Sequence, residues 1–322
     1  MPESEPEPAP EREREPESEA LGELLDERDH LINLAFRMLG SMNDAEDVVQ
    51  QTYVRWFQLG DAERAAIERP RAWLTTVASR ICLNILDSAR VRRERYVGEW
   101  LPEPLPSFAA AGASGGAGAA GSAGAPAVDP LDRITLDDSV SMALLVVLES
   151  LTPAERVAFV LHEVFGVPFA EIAEIVGRSP EATRQLASSA RRHIRDLRSR
   201  PTDASEHARL VTAFRLACES GDLDALVGIL DPGVTSVSDG GGKVRAALRP
   251  VVGADNVARF LLGILQKATD ITVGECDVNG EPGLVIGRGD QVVGIVALGT
   301  DSGRIRDVWI MMNPDKLEAW NR

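Results

Sequence analysis

The side chains of this chain best suited to chemistry are arginines gathered in two places. Between Arg69 and Arg95 seven arginines meet only Asp87 and Glu94, a net of +5, and between Arg178 and Arg200 seven meet Glu181 and Asp196, again +5. In a chain of net charge −16, two such islands point to two contacts with a polyanion, or else to two solvated helix faces. In the second island Glu181, Arg184, Gln185, Ser188 and Arg192 fall at i, i+3, i+4, i+7 and i+11, one face of a helix that Ser179 caps and Pro180 opens. Arginine and glutamine near such an N-terminus make bidentate contacts with base edges, each worth about 1–3 kcal/mol of discrimination. Arg191, Arg195 and Arg198 suit phosphates, which add affinity and salt dependence without sequence information. In the first island Asn84, Asp87, Ser88 and Arg90, with Arg92 and Arg93, offer polar groups for extruded bases and cations for phosphates.

Bond-making chemistry is poorly supplied. The four histidines, His30, His162, His193 and His207, all precede the sheet-forming stretch. Asp239, Asp255 and Asp277 have no evident acid–base partner, so no catalytic residue is assigned. Cys82, Cys218 and Cys276 are odd in number and far apart, which fits inert thiols in a reducing cytosol and neither a disulfide framework nor a zinc site. No metal or cofactor is expected. No stretch reaches the roughly 18–20 apolar residues of a membrane helix, and the acidic start is no signal peptide; a cytoplasmic protein without a membrane partner is expected. The run Asp239-Gly240-Gly241-Gly242-Lys243 could cradle a phosphate, but it lacks the strand–loop–helix context of a P-loop. A hairpin turn whose glycines allow positive φ is the simpler reading.

The elements that position these groups follow from periodicity. At 322 residues the chain is long enough for two or three domains. Residues 1–20 carry eight Glu against Arg12 and Arg14, net −6, a tail too polar to fold; it either mimics DNA or keeps the protein soluble, and we favour the second. From 21 to 95 an all-α domain is expected. Leu31, Leu34, Ala35, Met38 and Leu39 form one helix stripe, ended by Gly40. Asn43 with Glu46 reads as a capping box for the next helix, which buries Val48, Val49, Tyr53 and Trp56 and turns Asp47, Gln51 and Arg55 outward. A third helix opens at Pro70 and carries Trp73, read as core. Residues 96–135 form a linker, first the extended Trp100-Leu101-Pro102-Glu103-Pro104 run and then Ala/Gly/Ser. From 136 to 200, the helix start Thr152-Pro153-Ala154-Glu155, the stop at Gly166, the turn at Gly177 and the basic helix form a helix-turn-helix. From 201 to 322, helices near 204–220, 222–230 and 254–266 accompany strands near 234–238, 271–278, 284–286, 292–298 and 305–311, with hairpin signals at Asn279-Gly280 and Asp301-Ser302-Gly303. A mostly antiparallel α+β cone is the expected fold.

The stretch Asp44-Ala45-Glu46-Asp47-Val48-Val49-Gln50-Gln51 resembles the core-polymerase-binding part of sigma region 2, and Pro70-Arg71-Ala72-Trp73-Leu74 through Arg93 resembles its promoter-melting part. The helix-turn-helix resembles region 4. Together they resemble the extracytoplasmic-function sigma factors of the sigma-70 family. Trp100-Leu101-Pro102-Glu103-Pro104, Asp239-Gly240-Gly241-Gly242-Lys243 and Asn313-Pro314-Asp315-Lys316-Leu317 resemble the SigJ-like subgroup with a fused SnoaL-like domain. The resemblance implies two all-α sigma domains followed by an α+β cone of the NTF2-like fold. It implies a transcription initiation factor whose partners are core RNA polymerase (the β′ clamp helices and the β flap) and promoter DNA. Asp44, Asp47, Gln50, Gln51 and Arg55 would meet the polymerase. Asn84, Asp87, Ser88, Arg90, Arg92 and Arg93 would meet the −10 element, and Ser179, Glu181, Arg184, Gln185, Ser188, Arg191, Arg192 and Arg195 the −35 element. The third motif set, Trp100 to Pro104, Asp239 to Lys243 and Asn313 to Lys316, would make regulatory contacts in place of a separate anti-sigma protein. A small-molecule ligand in the cone is compatible with this reading. The alternatives are a helix-turn-helix regulator that works without polymerase, and an NTF2-like enzyme or ligand receptor fused to a DNA-binding module.

Overall fold

A computed structural model describes residues 15–93, 96–106, 140–197, 203–268 and 270–321, with the side chains of 15–26, 89–93 and 196–197 outside that description. The readings of residues 1–14, of the Ala/Gly-rich stretch and of the side chains of Arg90, Arg92, Arg93 and Arg198 therefore lie outside the described residues.

The first domain is α1 (Glu15–Leu39), α2 (Met42–Gln58), α3 (Asp61–Ala65) and α4 (Pro70–Arg93). The first helix begins before the expected residue 21, in line with the preference of acidic residues for helix N-termini. Leu31, Leu34 and Met38 of α1 are fully buried against Ala45, Val48 and Val49 of α2 and Leu74 and Ala78 of α4, each large aliphatic side chain contributing about 1.5–3 kcal/mol. Trp73 packs edge-on against Trp56 at 5.3 Å. The cap of α2 is not Asn43 but Ser41, whose Oγ accepts the Asp44 N–H at 3.3 Å. Gly40, at φ +68, reverses the chain one residue before Ser41, so the helix starts earlier than expected.

The second helical module is α5 (Met142–Glu149), α6 (Pro153–Phe159) continued by a π turn at Val160–Val164, α7 (Phe169–Val176) and α8 (Pro180–Leu197). Thr152 and Glu155 form the expected capping box of α6, and Gly177 closes α7 at φ +65. In α8 the inward face is rotated from the one that periodicity predicts, Ala182, Leu186, Ala190, Ile194 and Leu197. Thr183, Ala187, Ala190 and Ile194 are buried, whereas Ala182 and Leu186 are half-buried. The two helical modules share one continuous core. Across their junction Arg69 pairs with Glu171 at 3.1 Å, Arg80 donates to the Glu174 carbonyl at 3.3 Å, and Phe165 meets His30 edge-on.

The C-terminal domain runs α9 (Ala204–Ser220), α10 (Leu223–Ile229), β1 (Leu230–Asp239), β2 (Val251–Val252), α11 (Ala254–Leu265), β3 (Thr272–Val278), β4 (Glu281–Arg288), β5 (Gln291–Asp301) and β6 (Arg304–Met311). The sheet order is β2-β1-β6-β5-β4-β3, antiparallel except for the parallel β1–β6 pair. The expected α+β architecture is present; the short edge strand β2 and the parallel pair were not anticipated. Asn279-Gly280 and Ser302-Gly303 hold positive φ at both hairpin positions, the geometry that suits tight two-residue turns. Val296, Leu298, Val308 and Ile310 face the helices. Ile295, Ala297, Trp309 and Met311 face the other way, against Leu101, Met142 and Leu317. Burial on both faces explains why β5 reads as a near-continuous apolar run.

Candidate nucleic-acid interface and linker clasp

On α8 the sequence-derived residues lie where the spacing puts them. Ser179 Oγ accepts the Ala182 N–H at 3.2 Å. Glu181, Arg184, Gln185, Ser188, Arg191, Arg192 and Arg195 are all exposed. The Arg184 guanidinium rests 5.4 Å above the Phe169 ring, which is itself stacked on His162 at 3.9 Å, so this arginine is oriented by the preceding helix. Arg191 is engaged by Glu163 in an ion pair, so a phosphate would have to displace that carboxylate to reach it. Glu155 fixes α8 to α6 by accepting from Ser189 Oγ at 2.7 Å.

On α4, Asn84, Asp87 and Ser88 are exposed, with Ser88 Oγ donating back to the Ile85 carbonyl at 2.8 Å. The beginning of the same helix is less available. Arg69 and Arg80 of the first basic island are engaged by α7, and Arg71 by Glu27 at 3.3 Å.

On α2, Asp47, Gln50, Gln51 and Arg55 are exposed and line one shallow groove with Val54 and Gln58. Asp44 is half-buried on the first turn and is not part of that groove. Sequence reasoning missed the apolar members of this face. Val54 and Phe57 are 55% and 54% exposed. Their i, i+3 spacing on a polar helix face was the available signal.

The third motif set converges on one buried carboxylate. Asp239 is 0% exposed. Its Oδ1 accepts from the Tyr96 hydroxyl at 2.7 Å and the Gly241 N–H at 2.9 Å. Its Oδ2 accepts from the Leu101 N–H at 3.0 Å and Lys316 Nζ at 2.8 Å. Lys316 also donates to the Leu101 carbonyl and lies 4.0 Å above the Trp100 ring. Asn313 Nδ2 donates to the Tyr96 oxygen at 3.0 Å while Asn313 Oδ1 accepts the Asp315 N–H, fixing the turn that Pro314 opens. Lys243 reaches both Asp315 oxygens at 2.7 Å. Burial first, and then the hydrogen bond to the Asp239 carboxylate, push the Tyr96 phenol well above its ordinary range. Gly240 and Gly241 are required by close approach: a Cβ on the first would meet the Val244 carbonyl, and on the second, at φ +62, the Asn313 amide. The run is thus a turn against the linker.

The linker continues outward from this point in both directions. Glu103 Oε2 accepts the Met42 N–H at 2.7 Å and the Glu103 N–H donates to the Gly40 carbonyl at 2.8 Å, so the same segment also caps α2. Trp320 Nε1 donates to the Pro104 carbonyl at 2.7 Å, and Leu105 exchanges two hydrogen bonds with Asn279. Nearby, Arg156 of α6 bridges the Met38 carbonyl at 2.9 Å and Glu149 at 2.6 Å, its burial lowering its pKa to about 10. Tyr96, Trp320 and Arg156 carry no motif, and sequence reasoning did not find them; Asn279 was read only as a hairpin residue, not as a linker contact.

Two basic helical modules, one a helix-turn-helix, with the segment between them clasped onto an α+β domain, define the class. The sigma-70 region 2 family model matches residues 25–94 and the sigma-70 region 4 model matches residues 141–194. The chain belongs to the extracytoplasmic-function RNA polymerase sigma factors. It is 40% identical over 302 residues to the ECF RNA polymerase sigma factor SigJ of Mycobacterium tuberculosis (strain ATCC 25618 / H37Rv), with 90% of each chain covered. It is 38% identical over 294 residues to the probable ECF sigma factor SigI of M. tuberculosis (strain CDC 1551 / Oshkosh), covering 90% of this chain and 92% of that one. The crystal structure of M. tuberculosis SigJ superposes with a TM-score of 0.69 at 36% identity, over 93% of this chain and 98% of that one, so the likeness includes the C-terminal domain. The protein is a sigma factor that binds core RNA polymerase and promoter DNA to initiate transcription. It is a transcription initiation factor. Among the described residues no helix is long and apolar enough to cross a membrane.

Proposed function

We propose that the C-terminal domain governs this sigma factor from within the chain, by holding the linker and thereby the spacing of the two promoter-reading modules. In this reading residues 21–95 act as region 2, 96–135 as the control linker, 136–200 as region 4 and 201–322 as a regulatory cone without catalysis. Asp44, Asp47, Gln50, Gln51 and Arg55, with Val54 and Phe57, meet the β′ clamp helices, and region 4 meets the β flap. The α4 and α8 residues named above meet the −10 and −35 elements, and no separate anti-sigma protein is required. A small-molecule ligand of the cone would set the state of the clasp.

The observation that carries this reading is the Asp239 carboxylate, buried in the C-terminal domain and accepting from Tyr96 and Leu101 of the linker. Two elements set apart along a duplex need two modules set apart. The modules here share one core, and Arg69 and Arg80 are turned toward region 4. Opening must therefore precede promoter engagement, and a linker tied to a third domain resists it.

The test compares amide exchange across residues 96–106 and promoter-specific transcription in wild type and Asp239→Asn. Loss of protection together with raised transcription is expected; unchanged protection removes the clasp. Co-purification with core polymerase, wild type beside Asp47→Arg, tests the α2 face. Stoichiometric binding that the charge reversal weakens is expected, and equal recovery of both proteins sinks that assignment.

A further inference from the structure

Two arginines of α8 meet the end of α6, and they are held in opposite ways. The π turn Val160–Val164 ends α6, closed by the Phe165 N–H donating to the Val160 carbonyl at 3.3 Å. Such a turn adds one residue to the helical repeat and re-aims the side chains it carries. Both polar residues of this turn address α8. Glu163 meets Arg191 directly, in an ion pair. His162 reaches Arg184 through a ring. Its Nδ1 donates to the Val167 carbonyl at 3.2 Å, and its imidazole stacks on Phe169 at 3.9 Å with the planes 29° apart. The Arg184 guanidinium lies over the same Phe169 ring at 5.4 Å. Phe169 is half-buried against the core of the helical modules, so the ring has a fixed seat.

The difference decides what each arginine has left to offer. A carboxylate occupies guanidinium N–H groups. An aromatic ring attracts the cation through its quadrupole and takes none of its conventional hydrogen bonds. Arg184 is exposed, and among the described residues it makes no ion pair or hydrogen bond. It is restrained with all five donors free, the state that bidentate reading of a guanine edge calls for. An unrestrained arginine would lose more rotamer freedom in reaching the same base.

We propose that Phe169, braced by His162, is a positioning residue for base recognition: it holds Arg184 ready for the upstream element and so sets specificity through that arginine. The proposal rests on the reading of α8 as the −35 helix and names the arginine that discriminates within it.

The test is a double-mutant cycle on the full chain bound to core polymerase. The wild-type complex first selects duplexes from a pool randomised over the −35 element; the enriched consensus duplex and a scrambled version are the probes. Phe169→Leu keeps apolar bulk and removes the ring. It should weaken consensus binding by about two- to fivefold, leave the scrambled duplex unchanged, and flatten preference at the base pair that Arg184→Ala flattens. Added to Arg184→Ala, it should change nothing further. Phe169→Tyr keeps the ring and should keep the affinity. A merely structural Phe169 would instead lower binding to both duplexes and in both backgrounds, and that result overturns the proposal, as does full consensus affinity in the leucine variant. Should the leucine variant unfold, Phe169→Met, adaptable in packing, carries the same expectations. If Arg184→Ala leaves the selected sequences unchanged, the −35 reading of α8 fails and the proposal with it. If Arg184→Ala changes them and Phe169→Leu does not, the role of Phe169 alone fails.

Discussion

The outer face of α8 and the Asp239 clasp are built from the same kinds of side chain, yet they are opposites. On α8, Arg184, Gln185, Ser188 and Arg192 stand exposed above a face buried by Thr183, Ala187 and Ala190. At the clasp a buried acid, a buried amine and a half-buried phenol use one another as partners. Exposed polar groups keep their hydration until a polyanion arrives, so they contribute to binding and little to folding. Buried ones have already lost water, so each depends on the others. The first region addresses a partner, and the second addresses the chain itself.

Substitution should separate the two, and the clasp should show the larger effect. Asp239→Ala leaves the Lys316 ammonium, the Tyr96 hydroxyl and the Leu101 N–H without their acceptor. Breaking a buried pair from one side costs about 3–5 kcal/mol, so docking of 96–106 should be lost and thermal unfolding should become two separate transitions. Lys316→Met in the same background should restore part of that loss, since a buried ammonium without the Asp239 carboxylate is the worst remnant. A single unshifted transition in the alanine variant would mean that solvent reaches the site. On α8 the opposite result is expected. Arg184→Ala or Gln185→Ala should leave the unfolding transition in place and cost about 1–3 kcal/mol of promoter binding, with relaxed preference at one base pair. Equal losses on cognate and random duplexes would demote these residues to phosphate contacts.

The phosphate group of the comparison is sharper still when salt is varied. Arg195→Ala should reduce the slope of log affinity against log salt by about one. Arg191→Ala should reduce it by less, because a phosphate would first have to displace the Glu163 carboxylate from Arg191. Glu163→Gln should therefore raise affinity at low salt. Identical slopes for the two alanine variants would show that the Glu163 pair does not compete.

The same contrast explains which parts were legible in the sequence. Helix periodicity, the Thr152 cap, the Gly177 turn and the outward row on α8 are local, set within one or two turns of chain. The extracytoplasmic-function resemblance marked the linker and loop motifs, but not what joins them. Asp239 and Leu101 are 138 positions apart, and Lys316 and Leu101 are 215 apart; no periodicity encodes such pairs. The cap of α2 failed for the same reason in miniature. Ser41 was passed over for Asn43, and the second group at that helix end, Glu103, comes from the linker 61 positions away. The shared core of the two modules was equally hidden, because a face that packs on a neighbour reads the same as one that packs within its own domain.

The smallest expected effect lies where α8 is held rather than where it binds. Burial opposes ionisation of the Glu155 carboxyl, but hydrogen bonds from Ser189 and Thr152 outweigh it and lower the pKa. A carboxylate whose folded pKa is depressed stabilises the fold above its unfolded pKa, and that contribution disappears as pH falls through the folded one. The fixing of α8 on α6 should therefore weaken below the ordinary glutamate range, not near neutrality. Thr152→Ala removes the cap and one of these donors and should cost about 0.5–2 kcal/mol, measured by denaturant unfolding at neutral pH. Its acid limb should move toward higher pH, since Glu155 would then ionise less readily. Promoter affinity should hardly change, because the Ser189 contact survives and the exposed side chains proposed to read bases keep their place. A large loss of affinity would show instead that the α6–α8 angle is part of recognition, and the line drawn between addressing a partner and holding the chain would then have to move into α8.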